Sequence, residues 1–248
     1  TPPSPTTRRL PNVPRLVAWR EQVAAEKRAA YAEEVYWGRG VPGFGDPAAR
    51  VVVLGLAPAA HGANRTGRVF TGDRSGDWLF RAMYRAGLAN QPESVSADDG
   101  LVLTDAWVTA AVKCAPPGNR PTPDERDACA PFLERELALL AGARVVVCLG
   151  GFGYDAACRH FGIRPRPKFG HGVEVEQADP VTVGPGLVDG VAGRTGGATV
   201  GHDHRLGVEF LGNASGGGLH ARRQGSLNTG QRGAIANAST RISQAERK

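Results

Sequence analysis

No apolar run of about eighteen residues interrupts this 248-residue chain, and no charged stretch followed by an apolar one stands at its start. A membrane span requires the first and a secretory leader the second, so the sequence reads as a soluble, cytoplasmic (intracellular) protein without membrane partners. Cysteine is scarce. Cys114, Cys129, Cys148 and Cys158 are too few and too scattered for a disulfide scaffold, which leaves thiols or metal ligands as their roles. What is present is a 41% hydrophobic chain, enough for one core plus a tail, with a net charge of +6 and a pI near 9.5 that suit a polyanionic partner. The excess charge is uneven: from Pro180 onward there are eight Lys/Arg against four Asp/Glu, together with 15 of the 34 glycines. Such text repays the entropy of folding poorly. The expected organisation is therefore an irregular leader (1–13), one domain (14–179) and a Gly/Arg-rich, poorly ordered tail (180–248).

Within the domain, strand and helix patterns alternate. "RLVAWREQVAAEKRAAYAEEVYW" spaces Leu16, Val17, Trp19, Val23 and Tyr31 among charges like a half-buried helix, and "GRGVPGFGDPAA" reads as a turn-rich linker. "RVVVLGLA" is a buried strand, and the helix after it, near 75–88, repeats Trp78, Leu79, Ala82, Met83 and Ala86 at spacings of three and four. A second strand lies within "GLVLTDAWVTAAVKC". The next helix carries its own start signals: Thr122 as N-cap, Pro123 at the first helical position and Glu125 to complete a capping box, with Gly142 beyond its end. "RVVVCLGG" is a third strand, followed by a helix that stops at Gly162. Alternation of this kind predicts a mostly parallel sheet with helices on both faces and ligands beyond the carboxyl ends of the strands. Loops 55–74, 113–121 and 150–153 then share one rim.

The first of these, "GLAPAAHGANRTGRVFTGD" (55–73), is rich in glycine without being a phosphate loop. Gly62 and Gly67 have the required spacing, but Arg68 and Val69 stand where a lysine and a Ser/Thr are needed. G-x-G-x-x-G is absent too. There remain small residues that allow close approach, an aromatic at Phe70 and a carboxylate at Asp73.

"GLAPAAHGANRTGRVFTGDRSGDWL" together with "TAAVKCAPPGNRPTPDERDAC" resembles the type-B, or family 5, uracil-DNA glycosylases, a branch of the uracil-DNA glycosylase superfamily. The likeness takes in "VPRLVAWREQVA", "YWGRGVPGFGDP" and "VVVCLGGFGYDAA" and covers roughly residues 10–176. It implies a three-layer α/β/α sandwich around a mostly parallel four-stranded sheet. It also implies a monomeric DNA repair enzyme that swings uracil, or another deaminated base such as hypoxanthine, out of DNA and hydrolyses its N-glycosidic bond.

Breaking that bond leaves positive charge on the sugar and negative charge on the base. Asp73 is the candidate to orient water and face the cationic sugar, because Ala57 occupies the first-motif position where other branches place a polar residue. Asp73 also suits a helix N-cap, and the two roles are compatible. Phe70 would stack on the base or pack in the core; Asn119 would read a base edge or fill a turn. Gly55, Ala57 and the backbone N–H groups of 56–62 would line the base pocket, with His61 a donor or a solvated loop residue. Arg65, Arg68, Arg74, Lys113 and Arg120 suit DNA phosphates, with solvated surface charge as the alternative.

Two departures from the family stand out. The resemblance implies a 4Fe–4S cluster on four cysteines, yet only those matching Cys114 and Cys129 remain, Leu10 and Val13 standing at the other two positions. Iron–sulfur cofactors of this type need four thiolates, so only half the ligand set is present. The family's closing His-Pro motif has no match after "KFGHGVEVE", and the strand that should precede it is indistinct; His202, His204 and His220 inherit no role. Loss of one electrostatic stabiliser costs about a hundredfold in rate. The sequence thus leaves open an inactive DNA- or base-binding relative, or a frameshifted product, beside the active enzyme.

Overall fold

A computed structural model of the chain describes residues 13–170, 173–177 and the strand 206–211. Its centre is a six-stranded sheet: β1 (Phe44–Gly45), β2 (Val51–Gly55), β3 (Ala106–Ala110), β4 (Val145–Leu149), β5 (Val175–Gln177) and β6 (Leu206–Leu211), in the order β1-β3-β2-β4-β6-β5. The inner four are parallel, and β1 and β5 pair antiparallel at the two edges.

The layers follow from alternation along β2. Val51 and Val53 face one side, where α3 (Arg74–Arg85) brings Leu79, Phe80 and Met83 against them. Val52 and Leu54 face the other, against Leu133 of α4 (Pro123–Ala138) and Tyr154, Ala157 and Cys158 of α5 (Gly151–His160). Both faces of the strand are covered, and for that reason it is an unbroken apolar run. A third cluster joins Val13 and Leu16, at the start of α1 (Pro14–Glu26), to Val112, Cys114 and Cys129. The parallel α/β sandwich expected from the sequence is the observed architecture.

Several local readings change. α1 ends at Glu26, and Tyr31 belongs to a separate 3-10 turn. The supposed linker contains β1, too short at two residues to register as a periodicity. The fourth parallel strand, β6, lies inside the segment read as a tail, ahead of His220; its Leu206, Val208 and Phe210 do alternate, but glycine-rich text surrounds them. His202, His204 and His220 lie outside the described residues. Trp78, grouped with the core positions of α3, is 63% exposed, while Leu79, Ala82, Met83 and Ala86 are buried.

Candidate active site

Loop 55–73 leaves the carboxyl end of β2 and folds back on itself around a one-turn helix, α2 (Ala63–Thr66), which ends at Gly67 in the left-handed conformation. Two contacts close it, and each needs a glycine. Phe70 lies over Gly55, so close that a β-carbon there would sit 2.5 Å from the ring Cζ. The Asp73 carboxylate lies against Gly62, where a β-carbon would be 2.4 Å from Oδ2. Chain segments 15 and 11 residues apart are thereby brought into contact at the end of the sheet.

Phe70 itself has a φ of +54°, a conformation in which a bulky residue is rare. Its carbonyl is pressed against Gly76, where a β-carbon would meet the oxygen at 1.7 Å, so α3 holds the strained residue in place. Strain of this kind, of the order of 1–3 kcal/mol per residue, is concentrated at functional sites in proteins. Phe70 is half-buried and packs on the α3-side core.

Asp73 caps α3: the Gly76 N–H donates to its Oδ1 at 3.0 Å. Burial pushes its carboxyl above the ordinary aspartate value, an effect the cap bonds oppose and Asp77 reinforces. The cap bond uses Oδ1 and leaves Oδ2 against the loop at Gly62.

Around this pair, Ala111 and Val112 N–H groups donate to the carbonyls of Gly55 and Leu56, both at 3.0 Å, which ties the loop after β3 to the start of loop 55–73. Asn119 stands further along that second loop on an exposed 3-10 turn (Pro117–Asn119), also with a φ of +58°. Asn119 is exposed to solvent. Ala57 packs on the Val13–Cys114–Cys129 cluster. His61 shares a 3.0 Å hydrogen bond between Nδ1 and the Tyr36 hydroxyl, and burial beside Arg28 and Arg65 lowers its pKa, favouring the neutral imidazole.

With Phe70 and Asp73 gathered at the carboxyl end of β2, the profile of the Uracil DNA glycosylase superfamily matches residues 42–201. The chain belongs to the uracil-DNA glycosylase superfamily. It is similar to the type-5 uracil-DNA glycosylase of Mycobacterium tuberculosis, 57% identical over 166 residues (66% of this chain, 62% of that protein), and to that of Thermus thermophilus, 55% identical over 160 residues (64% and 72%). The type-4 uracil-DNA glycosylase of Archaeoglobus fulgidus is 34% identical over 113 residues (45% and 49%). The match spans 62% of the length of the mycobacterial protein.

Three of the five basic residues assigned to phosphate contact in this superfamily member are not on its surface. Arg65 is 9% exposed; it pairs with Glu34, donates to the His61 carbonyl and stacks 4.0 Å over the Tyr31 ring. Arg68, 6% exposed, donates to Asp99 and Ser94, each at 2.7 Å, and to Thr71 at 3.0 Å. Lys113, 2% exposed, pairs with Glu136 and donates to Thr109 at 2.7 Å. Cations this deeply buried require internal counter-ions, and the partners are 31, 31 and 23 residues away. No local pattern signals them. Arg74 and Arg120 are exposed as expected.

The sequence reading missed a surface that α3 carries down from the site. Arg74, Trp78 and Arg81 follow the i, i+4, i+7 spacing and are all exposed, forming one face opposite the buried one. That spacing, next to a candidate catalytic carboxylate, was the available signal. A cleft of about 730 Å³ opens on another side of the loop, between Tyr31–Val35 and residues 94–98. Glu34, Asp77 and Asp98 line it, so its charge suits neither phosphate nor a departing anionic base.

Proposed function

We propose that this chain is a DNA repair glycosylase that hydrolyses the N-glycosidic bond of uracil, and of other deaminated bases such as hypoxanthine, in a nucleotide swung out of DNA into loop 55–73. The observation that supports the reading most is the folding of that loop, which sets the Phe70 ring at Gly55 and the Asp73 carboxylate at Gly62, within a chain of this superfamily. Phe70 stacks on the extruded base. Asp73 orients the attacking water and faces the cationic sugar, backbone N–H groups of 56–62 receive charge on the departing base, and Asn119 reaches a base edge from the rim.

Arg74 and Arg120 contact phosphate, and the α3 face extends the contact with Trp78 and Arg81. Exposed arginines beside an aromatic ring suit a nucleic-acid strand. Reversing the charge of Arg74 and Arg81 together is expected to weaken binding to any duplex and to reduce the slope of log K against log salt by about 2, at roughly 0.9 per lost phosphate contact. Titrations by fluorescence anisotropy across a salt series read this directly; an unchanged slope removes the α3 face from the DNA interface.

The proposal is tested with the full chain on a labelled duplex containing one uracil, against a matched thymine duplex. Alkali-labile sites at the uracil position are the expected result. Binding without any such sites would instead favour a non-catalytic, base-binding relative. Gly62→Ala is expected to slow excision roughly a hundredfold, since displacement of a reacting group by about 1 Å suffices for that, while circular dichroism shows a folded protein. A full excision rate in that variant means that the Asp73 position at Gly62 does not matter.

A further inference from the structure

We infer that an apolar packing unit stands in this chain where the resemblance implies an iron–sulfur cluster, and that the protein folds and positions its site loops as a cluster-free chain. The inference goes beyond the proposed activity and holds whether or not uracil is excised.

Three of the four ligand positions are described, and they do meet: Val13, Cys114 and Cys129 belong to one contact cluster with Leu16 and Val112. The donor set is wrong. A four-iron cluster takes a terminal thiolate on each iron, whereas the isopropyl group of Val13 and the isobutyl group of Leu10 have no electron pair to give. Among the described residues no group of three Cys, His, Asp or Glu side chains comes together, so none of these residues replaces the missing pair. Cys148 and Cys158 lie in a different cluster, on β4 and α5.

The space is also used. Val13 is 3% exposed, and Leu16, Val112, Cys114 and Cys129 are fully buried, with Val17, Ala128, Phe132 and Phe152 packed around them. These side chains make a buried, mostly apolar joint between α1, the loop after β3 and α4. Polar contacts close its margin. Arg15 donates from Nε and Nη2 to the two carboxylate oxygens of Glu125, both at 2.7 Å, and from Nη2 to the Arg120 carbonyl at 3.2 Å. Arg20 donates from Nη1 to the Cys114 sulfur at 2.9 Å.

This joint does for the site what a cluster held by the same segments would do. Ala57 of the pocket loop packs on it, and Cys114 and Arg120 flank the loop that carries Asn119. Apolar packing, with the Arg15 and Arg20 contacts at its margin, therefore holds both rim loops against α1 and α4.

The test uses the full chain, produced anaerobically with iron and sulfide supplied, and measures iron and acid-labile sulfide per chain, the visible spectrum, and the melting temperature with and without an iron chelator. The expected chain is colourless, free of stoichiometric iron and sulfide, and melts at the same temperature in chelator. The Leu10→Cys/Val13→Cys double variant is expected to gain the visible band together with iron and sulfide, because it restores four thiolates to these positions. A parent chain carrying cluster iron and sulfide, or one whose melting temperature falls in chelator, overturns the inference. A folded double variant that takes up no iron overturns it too, by showing that these positions are not a vacated ligand pair. Should the double variant not fold, the iron and melting data on the parent chain decide.

Discussion

Replacing Asp73 by asparagine is expected to slow uracil excision by about a hundred- to a thousandfold, the usual effect of removing one preorganised electrostatic group, without loss of stability. The two effects separate because Asp73 meets different requirements as a cap and in its proposed role at the sugar. As the cap of α3 it needs only an oxygen that accepts from the Gly76 N–H, and asparagine caps as well as aspartate. At the sugar it needs negative charge. The sign of the stability effect follows from its pKa. Burial raises the carboxyl in the folded state, so the folded protein holds this proton more tightly than the unfolded chain does. Ionisation of Asp73 then costs stability as pH rises past the ordinary aspartate value of 3.8, and an amide removes that cost. The melting temperature of the variant at neutral pH should equal or exceed that of the parent. In the parent, excision should fall on the acid side at a pH above 3.8, as the raised carboxyl takes up its proton; the residual rate of the asparagine variant should lack that limb. Single-turnover rates across a pH series measure both, and an asparagine variant with parental rates removes Asp73 from the chemistry.

Lys113→Ala is expected to destabilise the domain by about 3–5 kcal/mol, the range for breaking a buried ion pair from one side. Lys113 is inaccessible, and its ammonium group is held by Glu136 and Thr109. Glu136 in turn accepts from the Thr109 hydroxyl and, at 2.7 Å, from the Gly43 N–H, so one carboxylate ties α4 to β3 and to the chain entering β1. Without the lysine that half-buried carboxylate keeps its Thr109 and Gly43 donors but loses its counter-ion. At about 2–4 °C per kcal/mol for a chain of this size, the melting temperature should drop by roughly 6–20 °C. A Lys113→Met/Glu136→Gln double variant should recover most of the loss, because replacing both charges is often close to neutral. DNA affinity and its salt dependence, measured below the melting transition, should be unchanged in either variant. A reduced salt slope would instead assign Lys113 to phosphate binding, as its place in the sequence suggests.

These two residues mark how far the sequence carries. What depends on neighbours in the chain is legible. The Thr122–Glu125 capping box forms as read, with the Thr122 side chain accepting from the Glu125 N–H and the Glu125 carboxylate accepting from that of Thr122. The valine runs of β2 and β4 are central strands, and the parallel order follows from the alternation of elements. Phe70 and Asp73 could be chosen from the loop text, but their fit against Gly55 and Gly62 could not, since it depends on how the loop doubles back. Arg65, Arg68 and Lys113 look like surface cations until Glu34, Asp99 and Glu136 arrive from elsewhere in the chain. Trp78 fits an apolar spacing by its neighbours' positions and still points outward, because spacing fixes a face only to within one residue of its edge. The meeting of Val13 with Cys114 and Cys129 was suggested by resemblance and is a fact of packing.

Reception of an extruded uracil by loop 55–73, beneath Phe70, is the proposal on which the other roles depend. Its most direct measurement is stopped-flow fluorescence of a purine analogue placed beside the uracil in a duplex, using the Asp73→Asn variant so that binding is seen without bond cleavage. A fluorescence rise with the uracil duplex, absent with a matched thymine duplex and lost when Phe70 is also replaced by alanine, is the predicted result. Equal signals from the uracil and thymine duplexes, or a rise undiminished without the Phe70 ring, would contradict the account.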